Sequence, residues 1–474
     1  MKQRTLLVTL ATLVVALWVI GCANATPAPT AAPTNPPAPT GAPPPTTAPT
    51  SASVATTAPT AAPSAELSGE ITFYINEGAD EVGGFQDLVS TFLKMHPKAK
   101  ITLVNIPNDD EFDAKIAALY SARTPPDLIN INFRRFGQFA IKGVLQPLDD
   151  YIAGSQVIKL GDYYPQSLEA FQFKGHQYCI PQNLSSLEVY YNRTLFEKAN
   201  VPLPKAGWTW ADFLNDAKAL TKDTNGDSKT DQYGLGVDPT TIRLVAFIWE
   251  HGGEIVDDVN KPTKLTIDSP AALEAFQWFV DLQNKYHVVP NKADEATQAD
   301  IDRFTSGTMG MYLNSRVETP GLRETIQDNF EWDVAPMPTD KTTATVLHSD
   351  GYCISSSGKN KDLAWAFTEF ANGPVGEKQL VATGRTVPSI KSIAESDDFL
   401  KQSEPPPSSK IYLDMIPNIR RLPIATTWLE VEHVLDNEIQ RAFYGDATVK
   451  EAADAAVKGT AEFFQQNLKD LSAQ

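Results

Sequence analysis

The stretch Gly69–Asn76 reads GEITFYIN and is followed by GFQDLVSTFLKMHP over residues 84–97. In the first, Ile71, Phe73 and Ile75 alternate with other residues, the period of a strand. In the second, Phe85, Leu88, Val89, Phe92 and Leu93 recur at helical spacing, with Pro97 beyond the end. KITLVNI (100–106) then reads as a strand, DEFDAKIAALYSARTPP (110–126) as a helix stopped by prolines, and DLININ (127–132) as a third strand. Strand–helix–strand repeats of this length require parallel pairing, so the chain is α/β.

The later chain continues the pattern with clearer helices. GWTWADFLNDAKALT (207–221) places Thr209 three residues before Asp212, a variant of the capping box. DSPAALEAFQWFVDLQNKY (268–286) offers Ser269 as N-cap and Pro270 at the first helical position. KDLAWAFTEFA (361–371) carries Leu363, Ala366, Phe367 and Phe370 on one stripe, and the last 45 residues read as two helices. No repeat of fixed period runs through the chain.

A length of 474 residues suits two lobes better than one core. The net charge of −18 gives a surface that repels nucleic acid and anionic lipid, and no basic patch offsets it. Residues 1–21 carry Lys2 and Arg4 ahead of a long apolar run that ends at Val19-Ile20-Gly21-Cys22. This is a secretory signal, and its end resembles the lipobox of bacterial lipoproteins. That resemblance implies cleavage before Cys22 and lipidation of its thiol. Cleavage removes Lys2 and Arg4, taking the charge from −18 to −20. Residues 23–65 contain 12 prolines and no charged residue. Such a composition buries too little apolar surface to offset ordering entropy, and its prolines favour an extended spacer that reaches about 100 Å.

Signals of catalysis are weak. The chain has no G-x-S-x-G, H-E-x-x-H or Walker loop, and its six histidines are scattered. His251 stands three residues before Glu254, but no second histidine follows at metal spacing. DTNGDSKTDQYG (223–234) is the exception in pattern. Asp223, Asn225, Asp227 and Asp231 alternate as in an EF-hand loop, with Lys229 able to offer its carbonyl, but position 12 is Gly234 and position 6 is Ser228. The stretch is either a weak structural calcium clip or a solvated turn. Cys179 and Cys353 remain, and an oxidising exterior allows either a disulfide or two buried thiols.

Six segments in order carry a resemblance to a known family. They are PDLININFRRFGQFAIKGVLQPLDDYI (126–152), FKGHQYCIPQNLSSLEVYYNRTLFEKANVPLPKAGWTWADF (173–213), the acidic loop, RFTSGTMGMYLNS (303–315), DGYCISSSGKNKDLAWAFTEFANGP (350–374) with TGRTVPS (383–389), and the Trp428 helix with YGDATVKEAADAA (444–456). Together they resemble the extracellular solute-binding proteins of ABC importers, in the sugar-binding group that includes maltose-binding protein. The resemblance covers nearly all of 68–474. It implies the two-lobed, type II periplasmic-binding-protein fold, with lobes joined by crossing hinge strands that close around a solute. Lobe 1 is expected over 66–182 and 354–400, and lobe 2 over 183–353 and 401–474. Both cysteines then fall near crossing strands, and free thiols are favoured because a staple at the hinge would hinder closure.

The implied function is capture of a small carbohydrate for an ABC permease by a monomer held through its lipid anchor at the outer face of a bacterial cytoplasmic membrane. No cofactor beyond the acidic loop's calcium is expected, and no nucleic acid. The match nominates Glu77, Arg134, Arg135, Asn183, Ser185, Asp238, Asn314, Arg316, Asp350 and Arg385 as cleft residues, with Trp428 as a stacking platform. Amide, carboxylate and guanidinium groups suit hydroxyls, and an aromatic face suits a sugar ring. Ser185 and Val317 stand where maltose-binding protein has acidic and aromatic contacts, which argues against maltodextrin. The same fold with a glycerol phosphodiester or polyamine, or a surface glycan-acting enzyme, are the alternatives.

Overall fold

The computed structural model describes residues 67–401 and 403–473. The signal sequence, Cys22 and the proline-rich stretch lie outside the described residues. Among the described residues, nine strands build two main sheets. The first contains β1 (Ser68–Ile75), β2 (Lys98–Asn105), β3 (Leu128–Asn132), β4 (Cys179–Pro181) and β9 (Asp350–Ile354), in the order β2-β1-β3-β9-β4. The second contains β5 (Leu187–Asn192), β6 (Tyr233–Gly236), β7 (Met309–Ser315) and β8 (Trp332–Ala335), in the order β8-β5-β7-β6.

The opening stretch behaves as its period requires. β1 pairs in parallel with β2 from Ser68↔Lys98 to Ile75↔Asn105, and with β3 at Phe73↔Leu128. Ile71, Phe73 and Ile75 are fully buried, against Phe85, Leu88 and Phe92 of α1 (Ala79–Met95). α1 starts six residues ahead of Phe85, the first of its apolar stripe, running through Gly83 and Gly84; the latter sits against the Thr383 side chain. Packing has overridden the weak helix propensity of two glycines.

Helices α2 (Asp109–Ser121) and α3 (Phe133–Ala140) follow β2 and β3, α4 (Trp210–Leu220) and α5 (Thr241–Glu250) flank β6, and α6 (Pro270–Asn284) precedes β7. Thr209 and Asp212 form the full reciprocal capping box at α4. Ser269 caps α6 by backbone position without a side-chain bond, with Pro270 at its start. After α7 (Lys361–Ala371), the expected final pair appears as α8 (Trp428–Phe443) and α9 (Val449–Ser472). α3 approaches the segment ahead of α8 so closely that a Cβ on Gly137 would lie 2.4 Å from the Ala425 carbonyl oxygen. Only glycine fits there.

The chain leaves the first sheet after β4 and returns into β9, and these two crossings run side by side. Ser185 N–H donates to the His348 carbonyl at 2.7 Å, and His348 N–H donates back at 2.8 Å. Leu184 N–H donates to Val387, adding a third segment to the bundle. The expected boundary at 353/354 falls inside β9, which pairs throughout with β3 and at Gly351–Cys353 with β4.

The sequence favours free thiols at Cys179 and Cys353, but the structure joins them in a disulfide. The objection about the hinge fails because the pair lies in β4 and β9 of one sheet. Antiparallel register puts Cys353 directly opposite Cys179, with Cα atoms 4.3 Å apart. That is close to the spacing of non-hydrogen-bonded antiparallel pairs, and within a disulfide's reach.

Candidate functional site

The carboxyl ends of β1, β3, β6 and β7 face one cavity of about 410 Å³ between the sheets. Ligands of α/β folds sit at such strand ends. β1 runs out into Asn76 and Glu77. β3 ends at Asn132, whose side chain accepts from Arg134 N–H at 3.2 Å and so caps α3. The crossings contribute Asn183, Ser185 and His348, and β9 begins with Asp350.

Asp350 is held from both sides. Asn132 Nδ2 donates to one carboxylate oxygen at 3.1 Å, Asn183 Nδ2 to the other at 3.1 Å, and the Asp350 N–H donates back to Asn183 Oδ1 at 3.0 Å. Because all three residues sit on strands or crossings, the carboxylate is set before any solute arrives.

Four arginines line the cavity, and each meets a carboxylate. Arg134 donates to Glu432 Oε1 at 2.7 Å. Arg135 meets Asp109 at 3.0 Å and Asp113 at 2.8 Å. Arg243 reaches Asn314 Oδ1 at 2.9 Å and lies 3.5 Å from Asp238. Arg385 pairs with Glu81, and its Nη1 donates to the Val317 carbonyl at 3.3 Å. Asn314 Nδ2 also donates to the Tyr312 hydroxyl at 2.6 Å and to Glu318 at 3.1 Å.

Burial dominates the protonation of Glu77 and of His348. It pushes the Glu77 carboxyl well above its ordinary range, reinforced by the neighbouring Glu81 charge. It pushes the His348 imidazole well below its ordinary value, with Arg243 and Arg134 adding to the effect. His348 is therefore neutral near pH 7.

Of the nominated residues, Glu77, Arg134, Arg135, Asn183, Ser185, Asp238, Asn314, Asp350 and Arg385 all line this cavity. Arg316 and Trp428 do not. β7 ends at Ser315 and a 3-10 turn over Arg316–Glu318 breaks its alternation, so Arg316 turns inward. Its guanidinium sits 4.6 Å from the Phe399 ring centre and 4.7 Å from that of Tyr412. Trp428 is 1% exposed within the hydrophobic core and borders a separate cavity of about 200 Å³ that shares Arg134. It offers the main cavity no ring face.

Sequence reading missed Asn132, Glu81, Tyr312, Glu318 and Arg243. Arg243 did leave a signal: it is a lone cation in the apolar run TIRLVAFIW (241–249), and a buried charge needs partners. His251 is engaged elsewhere, between Asp340 at 2.5 Å and Glu274 at 2.8 Å.

The acidic loop is bonded largely to itself. Among the described residues, no group of three or more His, Cys, Asp or Glu side chains converges to hold an ion. The carboxylates turn to the loop's own backbone instead. Asp223 accepts from Gly226 and Ser228 N–H at 2.6 and 2.8 Å, Asp231 from Thr224 N–H at 2.8 Å, and Asp227 from Lys229 N–H at 2.8 Å. These bonds hold the Asp223 carboxyl below its ordinary value. Asp223, Asn225, Asp227, Lys229 and Asp231 thus form a hydrogen-bonded turn.

Two α/β lobes, paired crossing segments and a polar cleft between the sheets define a two-lobed type II periplasmic-binding-protein fold. The family model for bacterial extracellular solute-binding proteins matches residues 78–378, and the chain belongs to that family. A binding protein of Brucella abortus is 25% identical over 404 residues, covering 83% of this chain and 94% of the relative. The maltotriose-binding protein of Pyrococcus abyssi is 25% identical over 339 residues, covering 70% of this chain and 69% of the relative. Among solved structures, the ABC substrate-binding protein of Listeria monocytogenes in complex with cycloalternan superposes with a TM-score of 0.75 at 24% identity, covering 83% of this chain and 98% of that one.

Proposed function

We propose that this protein captures a carbohydrate in its interlobe cleft and delivers it to the membrane subunits of an ABC importer. The observation that carries the reading is the cleft's ring of fixed acceptors and donors, centred on Asp350 between Asn132 and Asn183 and on Arg243 against Asn314. Carboxylates and amide oxygens accept from hydroxyls, and guanidinium and amide nitrogens donate to them, so a polyhydroxylated solute can satisfy both. The relative named for maltotriose supports a sugar over other solutes.

In this reading the protein is a monomer tethered by a lipidated Cys22 at the outer face of a bacterial cytoplasmic membrane. Residues 22–65 serve as spacer. The lobes are 66–182 with 354–400 and 183–353 with 401–474, except that β9 as a whole belongs to the first. The protein binds without turnover.

The test is direct. Protein purified from its native host is denatured, and the released small molecules are identified by mass spectrometry, with a thermal-shift screen of carbohydrates beside it. A carbohydrate that is released and that raises the melting temperature is expected. A non-carbohydrate solute, or hydrolysis of a glycan abolished by one carboxylate substitution, overturns the reading. A Cys22→Ser variant found in the medium, with the parent in the membrane fraction, checks the anchor.

A further inference from the structure

We infer that Arg243 is the recognition point of the cleft, seconded by His348 on the same cavity wall, and that the site selects a short, uncharged polyol over acidic sugars and long oligosaccharides. This deepens the carbohydrate reading above and rests on it. Arg243 is 5% exposed, lines the cavity, and has two guanidinium nitrogens, Nε and Nη1, buried without a protein partner. His348 lines the same cavity, and its Nε2 is likewise buried without a protein partner. Burying such groups unsatisfied is costly, so oxygen atoms of a solute, or the water it displaces, must complete them. Both side chains line the one cavity, and the charge of Arg243 bears on the His348 imidazole.

The charge of the solute follows from the pairing around it. Arg134, Arg135, Arg243 and Arg385 are each matched to a carboxylate: Glu432, Asp109 with Asp113, Asp238 and Glu81. Asp350 adds a further carboxylate on the cavity wall. A uronate or phosphate would bring another negative charge into a site whose cations are already balanced. A hydroxyl accepts from Arg243 and donates to Asp350 without that cost.

The size of the solute follows from the walls. Among the described residues, the aromatic side chains lining the cavity are Phe133 and Tyr312, each 4% exposed. Neither presents the open ring face on which successive sugar rings would stack. The volume of about 410 Å³ is near the lower end of the roughly 300–1,000 Å³ typical of ligand pockets. A single ring, an open-chain sugar alcohol or a short oligomer is the match.

The experiment is calorimetric titration of the ligand-stripped protein with neutral monosaccharides and sugar alcohols, the corresponding uronates and sugar phosphates, and maltooligosaccharides. A neutral small member is expected to bind at least about 10-fold more tightly than its acidic counterpart. Arg243→Met should weaken that binding by about 10- to 100-fold, the usual range for a hydrogen bond to a charged group, and His348→Gln by about 2- to 10-fold. If Arg243→Met does not fold, His348→Gln carries the test, because it leaves the contacts of Arg243 to Asp238 and Asn314 in place. Tighter binding of the acidic sugar or of a long oligosaccharide overturns the inference while leaving the carbohydrate reading standing. Unchanged affinity in both folded variants overturns the role of Arg243 and His348. Absence of binding by every carbohydrate overturns the function itself.

Discussion

Arg134 Nη1 lies 2.7 Å from Glu432 Oε1, tying α3 at the end of the first sheet to α8 of the C-terminal helix pair. Glu432 is 5% exposed at its side chain and Arg134 is 24% exposed. The nearby carboxylate raises the Arg134 guanidinium above its ordinary value, outweighing the opposing effect of burial. Together with the bond from Arg385 to the Val317 carbonyl, this pair holds the two sides of the cleft together.

Glu432→Gln should therefore loosen the contact across the cleft. Small-angle scattering of the ligand-free variant is expected to show a larger radius of gyration than the parent. Stability should fall by about 2 kcal/mol, below the full cost of breaking a buried pair because Arg134 keeps its bond to Asn132 and some contact with solvent. Identical scattering profiles would show that the pair does not hold the cleft.

Glu377 predicts a pH dependence. It is 1% exposed, and burial alone pushes its carboxyl up to about 8. A carboxyl raised on folding is protonated in the native state while the unfolded chain has already released its proton. Its contribution is intact below the ordinary carboxylate range and is lost as pH rises towards 8, at up to about 1.4 kcal/mol per pH unit. Melting temperature should decline across that window, and Glu377→Gln should flatten the decline. Parallel curves for parent and variant between pH 5 and 9 would refute it.

The disulfide predicts a large loss on reduction. It joins residues 174 positions apart, and the loop-entropy relation puts its stabilisation at about 5 kcal/mol as an upper figure. The double variant Cys179→Ser, Cys353→Ser should melt well below the oxidised parent and at the temperature of the reduced parent. Thiol titration of the denatured, unreduced protein should find neither cysteine reactive.

The acidic loop predicts indifference to calcium. Adding calcium or a chelator should leave the melting temperature unchanged. Asp223→Ala, which removes the acceptor for Gly226 and Ser228, should lower it equally in both conditions. A calcium-dependent rise in the parent would restore the ion-binding reading.

The α/β architecture was legible because periods of two and of 3.6 residues leave marks that Ile71, Phe73 and Phe85 carry plainly. Most cleft residues were legible too, since they lie beside strand ends, as Glu77 and Asp238 do just past theirs and Asp350 does at the start of β9. What escaped depends on tertiary geometry. Arg316 shares the parity of Asn314, yet a 3-10 turn begins at it and carries it into the core between two rings. Trp428 starts a helix that buries its first residue. The cysteine pairing rests on the register of two strands far apart in sequence, which no local pattern encodes.

That register gives the chain an unusual covalent outline. Every strand of the second sheet, from Leu187 to Ala335, lies between Cys179 and Cys353. The second sheet hangs from the first as a noose closed at its neck. A protease that cuts anywhere within the noose produces two fragments on a reducing gel but a single species on a non-reducing one. On an exterior surface exposed to such enzymes, a nicked molecule stays in one piece.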